Sequence, residues 1–243
     1  MNVIFRVAII FLGLLLGWQL LVSLYHLPDY ILPSPWQVFS TLNQQRIVIL
    51  QQAWPTILET LLGFLFGIIF GCLAGGITAF YKSLRQWFLP ILIISQAIPI
   101  FAIAPLLVIW LGFGIASKIA TAVIMIFFPV ASAFYDGLSK TPVGLLDLAK
   151  TMNASPWRTF WHIRIPAALP SLASGIRIAA VIAPMGAIVG EWVGASQGLG
   201  YLMINANARV QIDMMFAALF VIILLAIALY FCVDALTKKL VWW

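Results

Sequence analysis

Charge is what this chain has least of. Only 8% of its 243 residues are Asp, Glu, Lys or Arg, and only 7 of them are acidic. A water-soluble domain carries about 25% charged residues, so a solvent-facing globule is excluded. The two histidines, His26 and His162, fall in different regions of the chain, and no histidine pair can share a site. The two cysteines, Cys72 and Cys232, both lie in apolar runs and have neither metal-ligand spacing nor an outer-face disulfide pattern; they read as packing residues. No HExxH or GxSxG motif occurs, so neither metal-assisted nor serine hydrolysis is expected. No GxxxxGK[ST] occurs either; the nearest lookalike, "GFGIASK" from Gly112 to Lys118, lacks the second glycine before lysine. Enzymatic activity is not expected of this chain.

Oil is what the chain has in excess. It is 64% hydrophobic, with a mean hydropathy of +1.10, 17 Phe and 10 Trp. Such a composition belongs to an integral membrane protein, and backbone groups in lipid must be satisfied internally, which points to an all-α fold. A helix needs about 20 apolar residues to cross a bilayer. Six runs qualify: Val7 to Tyr25, Ile57 to Phe80, Pro90 to Gly112, Ile119 to Tyr135, Gly175 to Val193 and Met214 to Val233. The first is too long for a signal peptide and no small-x-small cleavage site follows it, so it is expected to stay as an anchor. The whole of 1–243 reads as one transmembrane domain.

Lys and Arg are retained on the cytoplasmic side of short connectors. With the N-terminus inside, that side holds Arg6, Lys82, Arg85, Lys140, Lys150, Arg158, Arg164, Arg177, Lys238 and Lys239. The outer side holds Arg46, Lys118 and Arg209; ten and three make the 13 basic residues of the chain. Both termini are therefore expected in the cytoplasm, as is the long connector at about 137–174. Topology accounts for the net charge of +6, and nucleic acid is not an expected partner.

Within the spans, small residues recur at fourfold spacing, as they do where helix backbones approach closely in lipid. The ladders are Gly63, Gly67, Gly71, Gly75 and Gly186, Gly190, Gly194, Gly198, the last of these in a connector where it can serve as a turn. Packing within the subunit is the favoured reading of the first ladder, a dimer face the alternative. Pro99, Pro105 and Pro184 interrupt hydrogen-bond ladders inside spans, as happens at packed kinks and where broken helices line a cavity. Glu191 is a carboxylate near the outer end of the fifth span; it either faces a water-filled passage or pairs with a neighbour such as Trp192 or Ser196. Gln96, Pro99, Pro105, Pro184 and Glu191 are the candidate passage residues. Glu59 is expected at the outer interface.

The inner connector "TPVGLLDLAKTMNASPWRTFWHIRIP", Thr141 to Pro166, is punctuated as two short helices with an elbow. Thr141 and Pro142 supply a cap and a first-turn proline, Asn153 a left-handed stop, and Ser155 and Pro156 a second start; Pro166 is expected to end the second helix. Leu145, Leu146, Leu148 and Met152 give the first helix more apolar surface than a solvated loop needs, which suits docking of a partner; an amphipathic segment lying in the headgroups is the alternative.

Here the sequence resembles a known family. Membrane subunits of bacterial ABC importers carry a cytoplasmic loop reading E-A-A, three residues, G, nine residues, I-x-L-P. This chain has Asp147, Leu148, Ala149, then Asn153, then Ile163, Ile165 and Pro166 in that register, with Met152 beside the elbow. "LPSPWQVF", "WLGFGIASKI" and "GEWVGASQGLGYLM" are similar to permeases of the nitrate, taurine, alkanesulfonate and thiamine-precursor branch. The resemblance implies a type I ABC importer permease of about six helices in the bacterial inner membrane. It implies a homodimer forming the pathway, two cytoplasmic ATPases that bind ATP and Mg and dock on the loop, and an outer substrate-binding protein. No cofactor is expected in this chain itself. A thiamine-precursor pyrimidine is the expected substrate, with taurine, alkanesulfonate or nitrate as runner-up; a stand-alone secondary transporter or channel is the reading from another class.

Overall fold

The computed structural model describes the backbone of residues 3–241, all of whose regular elements are helical. The first apolar run forms α1 (Val3–Tyr25), and Ser34 then caps α2 (Pro35–Gln44) through a full capping box with Gln37. Next comes α3 (Arg46–Phe80), 35 residues long, which starts well before the predicted Ile57 and carries Pro55 inside it. Four helical stretches have the length and composition to cross a membrane: Arg46–Phe80, Ile115–Ser139, Pro156–Gly194 and Ile212–Leu240. Shorter apolar segments, Leu12–Tyr25 and Ile100–Leu111, stand where the first and third runs were expected.

The third run corrects the sequence reading, because Pro90 to Gly112 is not one helix. It is divided between α4 (Lys82–Ala97) and α5 (Ile100–Leu111). Proline crowds the residue before it out of the helical region, and Ile98 accordingly has ψ 119. Of the three prolines singled out, only Pro99 stands at a break; Pro105 lies within α5 and Pro184 within a later continuous helix.

At the centre is α6 (Ile115–Ser139), held between α3 and α9 (Ile165–Gly194), and the glycine ladders explain how closely. A Cβ added at Gly63 would lie 2.5 Å from the Ala122 side chain, one at Gly67 2.3 Å from Ile126, and one at Gly71 2.8 Å from Val130. From α9, a Cβ at Gly186 would meet the Ala122 backbone at 2.6 Å and one at Gly190 the Lys118 backbone at 2.8 Å. The first ladder and Gly186 and Gly190 of the second therefore pack within the subunit against α6, both meeting it at Ala122, while Gly194 faces Val108 and Gly198 the Glu191 carboxyl group. Ala122, Ile126, Val130 and Ala131 are fully buried as a result. The fold closes with α10 (Leu199–Ala208), a short helix beyond the end of α9, and α11 (Ile212–Leu240), which packs along α9. Arg177 of α9 pairs with Asp234 of α11 at 2.9 Å, and Lys238 joins the same carboxyl group at 2.7 Å.

Candidate functional site

Two polar constructions stand out at opposite ends of this bundle. The first is the elbow after α6. Its first helix is α7 (Val143–Thr151), and Pro142 rather than Thr141 occupies the N-cap position. This corrects the expected start: the Thr141 hydroxyl turns back and donates to the Leu138 carbonyl at 3.0 Å, so it serves the end of α6 instead. The helix stops as expected. Asn153 has φ 53; its amide donates to the Lys150 carbonyl and the Ala154 amide to Ala149, both at 2.9 Å, a Schellman closure. Ser155 then caps α8 (Pro156–Thr159), accepting from the Arg158 amide at 3.3 Å.

Pro166 does not end the second helix. A π turn at Phe160–Arg164 leads straight into α9, so that the second elbow helix and the fifth span form one continuous rod, Pro156–Gly194. Proline has no N–H and its ring crowds a preceding carbonyl; local π adjustment is a known way to accommodate it. On α7, Ala149 is buried while Val143, Leu145, Leu148 and Met152 are exposed, and Asp147 pairs with Lys150 at 2.8 Å on the outer side. Asn153 is exposed, whereas Ile163, Ile165 and Pro166 are half-buried. The exposed apolar face of a short, rigidly capped helix is thus presented away from the bundle. Behind it, Phe80, Trp157 and Phe160 form an edge-to-face cluster whose ring centroids lie 5.1 to 5.6 Å apart where they meet Phe80.

The second construction lies at the other end. Glu191 is 1% exposed, and its partners are neither Trp192 nor Ser196. Its Oε1 accepts from the Thr56 hydroxyl at 2.5 Å and its Oε2 from the Gly200 amide at 2.5 Å. Thr56 Oγ1 also accepts from the Leu199 amide at 2.8 Å, and Gln52 Oε1 accepts from the Gly198 amide at 2.7 Å. Three consecutive amides at the start of α10 are therefore satisfied by side chains of α3 and α9. These amides have no intrahelical acceptor and form the positive end of a helix dipole, where a carboxylate is favoured. Gly198 has φ 116 and is the turn that aims them.

Glu59, expected at the interface, is buried instead, and its Oε2 finds no hydrogen-bond partner. Lys118 is buried as well. Its ammonium donates to the carbonyls of Phe113, Gly114 and Gly194, tying the start of α6 to the end of α9. A cavity of about 470 Å³ opens beside Glu59 and Lys118, bordered by Trp54 and Phe113. Pro184 is buried; Pro99, at the α4–α5 break, and Pro105, within α5, are exposed; Gln96 lies in α4 with its side chain outside the described set. Among the described residues, no cluster of three or more His, Cys, Asp or Glu is placed to hold a metal.

Sequence reasoning counted Arg164 only as a topological charge, and it missed Gln52 and Thr56. A signal was present for the latter pair: Gln52, Thr56 and Glu59 precede Gly63 at helical spacing and continue its ladder toward the outer end of α3.

Comparison with known proteins agrees with this geometry. The family described as binding-protein-dependent transport system inner membrane component matches residues 63–241. A "Probable ABC transporter permease protein" of Haemophilus influenzae is 52% identical over 94% of each chain. The formylaminopyrimidine transport permease ThiX of Halalkalibacterium halodurans is 33% identical over 96% of this chain and 93% of its own. The riboflavin transport permease RibX of Chloroflexus aurantiacus is 35% identical over 95% and 87%. The taurine permease TauC of Escherichia coli matches at 27% over 95% and 86%. Among solved structures, the inward-facing MetNI methionine ABC transporter superposes with a TM-score of 0.71, at 20% identity, over 81% of this chain and 98% of the other.

Proposed function

Since the chain belongs to the binding-protein-dependent transport inner membrane component family, and is an ABC importer permease, we propose that it forms the passage of an ATP-driven importer for a thiamine-precursor pyrimidine. The family assignment sets aside a self-sufficient carrier or channel. The observation that carries the mechanism is the elbow, where a capped helix with exposed Leu145, Leu148 and Met152 is joined by the tight Asn153 turn to a second helix that runs, through the π turn, into a membrane-spanning rod. A separate cytoplasmic ATPase, holding ATP and Mg, docks on that face. Two copies of the chain line the passage, and closure of two ATPases draws their elbows together, turning the passage from inward-open to outward-open. An outer binding protein delivers the substrate. Gln96, Pro99 and Pro105, at and beside the α4–α5 break, border the passage, with Pro184 and Glu191 supporting it from within the bundle.

Both termini face the cytoplasm in this reading, supported by the ten-to-three distribution of basic residues. In intact cells a cysteine placed at Ser196 should react with an impermeant maleimide and one at Ser155 should not; the reverse pattern would invert the topology. Coupling is tested at the left-handed stop. Asn153→Val places a β-branched residue at φ 53, a strain of about 1 kcal/mol or more. The permease should still insert, while substrate-stimulated ATP hydrolysis of the assembled importer falls; unchanged stimulation would remove the elbow from the mechanism.

For the substrate, the relative named for formylaminopyrimidine transport supports a pyrimidine, while riboflavin and taurine relatives mark the alternatives. Repulsion of anions by Glu191 does not contribute to the choice, because that carboxylate is spent on capping α10. A pyrimidine-precursor auxotroph fed external hydroxymethylpyrimidine should need this permease for growth. Full growth without it, in a strain with no other importer, together with loss of sulfonate use, would favour the sulfonate reading.

A further inference from the structure

We propose that Arg164 is the positioning residue that transmits movement of the elbow to the membrane helices, through a bridge from its guanidinium to the ends of α3 and α6. This rests on the elbow being the ATPase dock. Arg164 is the last residue of the π turn, where the elbow becomes the fifth span. Its Nε and Nη2 donate to the Leu138 carbonyl at 3.2 and 3.0 Å, and its Nη1 donates to the Ala79 carbonyl at 3.3 Å. Leu138 lies in the last turn of α6 and Ala79 in the last turn of α3. Carbonyls in a final helical turn have no intrahelical donor and sit at the negative end of the dipole, so a cation there is favoured twice over.

The bridge matters because of what else joins the parts. Among the described residues, the other side-chain hydrogen bonds made by residues 143–163 stay within the elbow: Lys150 to Asp147, Thr151 to Leu148, Ser155 with Arg158, and His162 with Arg158. Among the described residues, Arg164 carries the side-chain polar contact of the elbow helices to α3 and α6, alongside the Thr141 hydroxyl that bonds Leu138 just ahead of α7, with aromatic packing of Phe160 as the apolar counterpart. Its guanidinium also lies over the Phe160 ring, 5.7 Å from the centroid, which holds the fork in one orientation. A planar fork can bond two carbonyls at once in a fixed direction, whereas the single ammonium of lysine reaches one or the other. Displacing the elbow by an ångström or two therefore displaces the inner ends of two spans through hydrogen bonds, which resist shear in a way that apolar contact does not.

The test uses the assembled importer, permease with its ATPase, in lipid nanodiscs, with Cys72 and Cys232 replaced by alanine. A cysteine at Gln197, exposed at the outer cavity, reports the far end through its maleimide labelling rate with and without ATP and vanadate. In Arg164→Ala, ATPase should copurify and ATP hydrolysis persist, while the nucleotide-dependent change in labelling falls roughly tenfold; Arg164→Lys should restore part of it. A full nucleotide response in Arg164→Ala would overturn the proposal. So would loss of the ATPase, since Arg164 would then build the docking face instead. Should Arg164→Ala fail to fold, the Lys variant decides alone: a wild-type response in it overturns the bridge, and a reduced one supports it. Failure of the docking reading looks different. Leu148→Asp on the exposed face would keep the ATPase bound, or the parent protein would show no nucleotide response at all.

Discussion

Gly198→Ala is expected to cost the permease about 3 kcal/mol or more. The residue sits at φ 116, where any Cβ is strained, and that Cβ would lie 2.2 Å from the Glu191 carboxyl carbon. A Cβ in this glycine-only backbone region, φ 116 and ψ 163, costs about 1 to 3 kcal/mol and overpacking about 1 to 3. Neither can be relieved cheaply, because Glu191 is held by Thr56 and by the Gly200 amide and has no free space to move into. For a chain of this size the melting temperature of the detergent-purified protein should fall by about 6 to 12 °C. Gly144→Ala is the control: it lies on the exposed elbow helix with nothing within 4 Å of the added atom, and should leave stability unchanged or slightly raised. Equal melting of the two variants would mean that the turn at Gly198 is not the constrained one.

Glu191→Leu should release α10. The leucine is of similar bulk but accepts nothing, so the Gly200 amide loses its acceptor in a site from which water is excluded, and the Thr56 hydroxyl is left with only the Gln52 carbonyl, 3.4 Å away. At about 1 to 3 kcal/mol for a stranded amide and about 1 for the weakened hydroxyl bond, the loss is roughly 3 kcal/mol. It is concentrated on one short helix, so local opening precedes global unfolding. Arg209, exposed just after α10, is the natural reporter: trypsin should cut there much faster in Glu191→Leu than in the parent protein. Glu191→Gln keeps one carbonyl oxygen and should fall between the two. Identical cleavage in all three would show that Gln52 and Thr56 hold α10 without the carboxylate.

Much of this protein was legible in one dimension. Hydropathy is a property of residues one at a time, so the membrane class, the all-helical backbone and the approximate positions of the apolar runs needed no contacts. Turn chemistry is equally local: Asn153 and the Ser155–Pro156 pair do in the structure what their side chains do in any chain. Fourfold glycine spacing announced close helix contact, although only the fold identified α6 as the helix that α3 and α9 both approach. What sequence could not decide was whatever depends on a partner far away in the chain. Glu191 read as a costly charge that faces water or pairs with a near neighbour such as Trp192 or Ser196, but its acceptors are used by a hydroxyl 135 residues earlier and an amide nine residues later. Glu59 read as interfacial because it stands near the start of an apolar run, yet α3 extends 13 residues beyond it and buries it against Lys118 and Glu191. Pro166 read as a stop because proline lacks a donor, whereas a π turn upstream let the helix continue. A local rule gives the intrinsic cost of placing a group in a helix or in lipid; only the tertiary structure shows whether a distant residue offsets that cost, because hydrogen bonding and burial are properties of pairs.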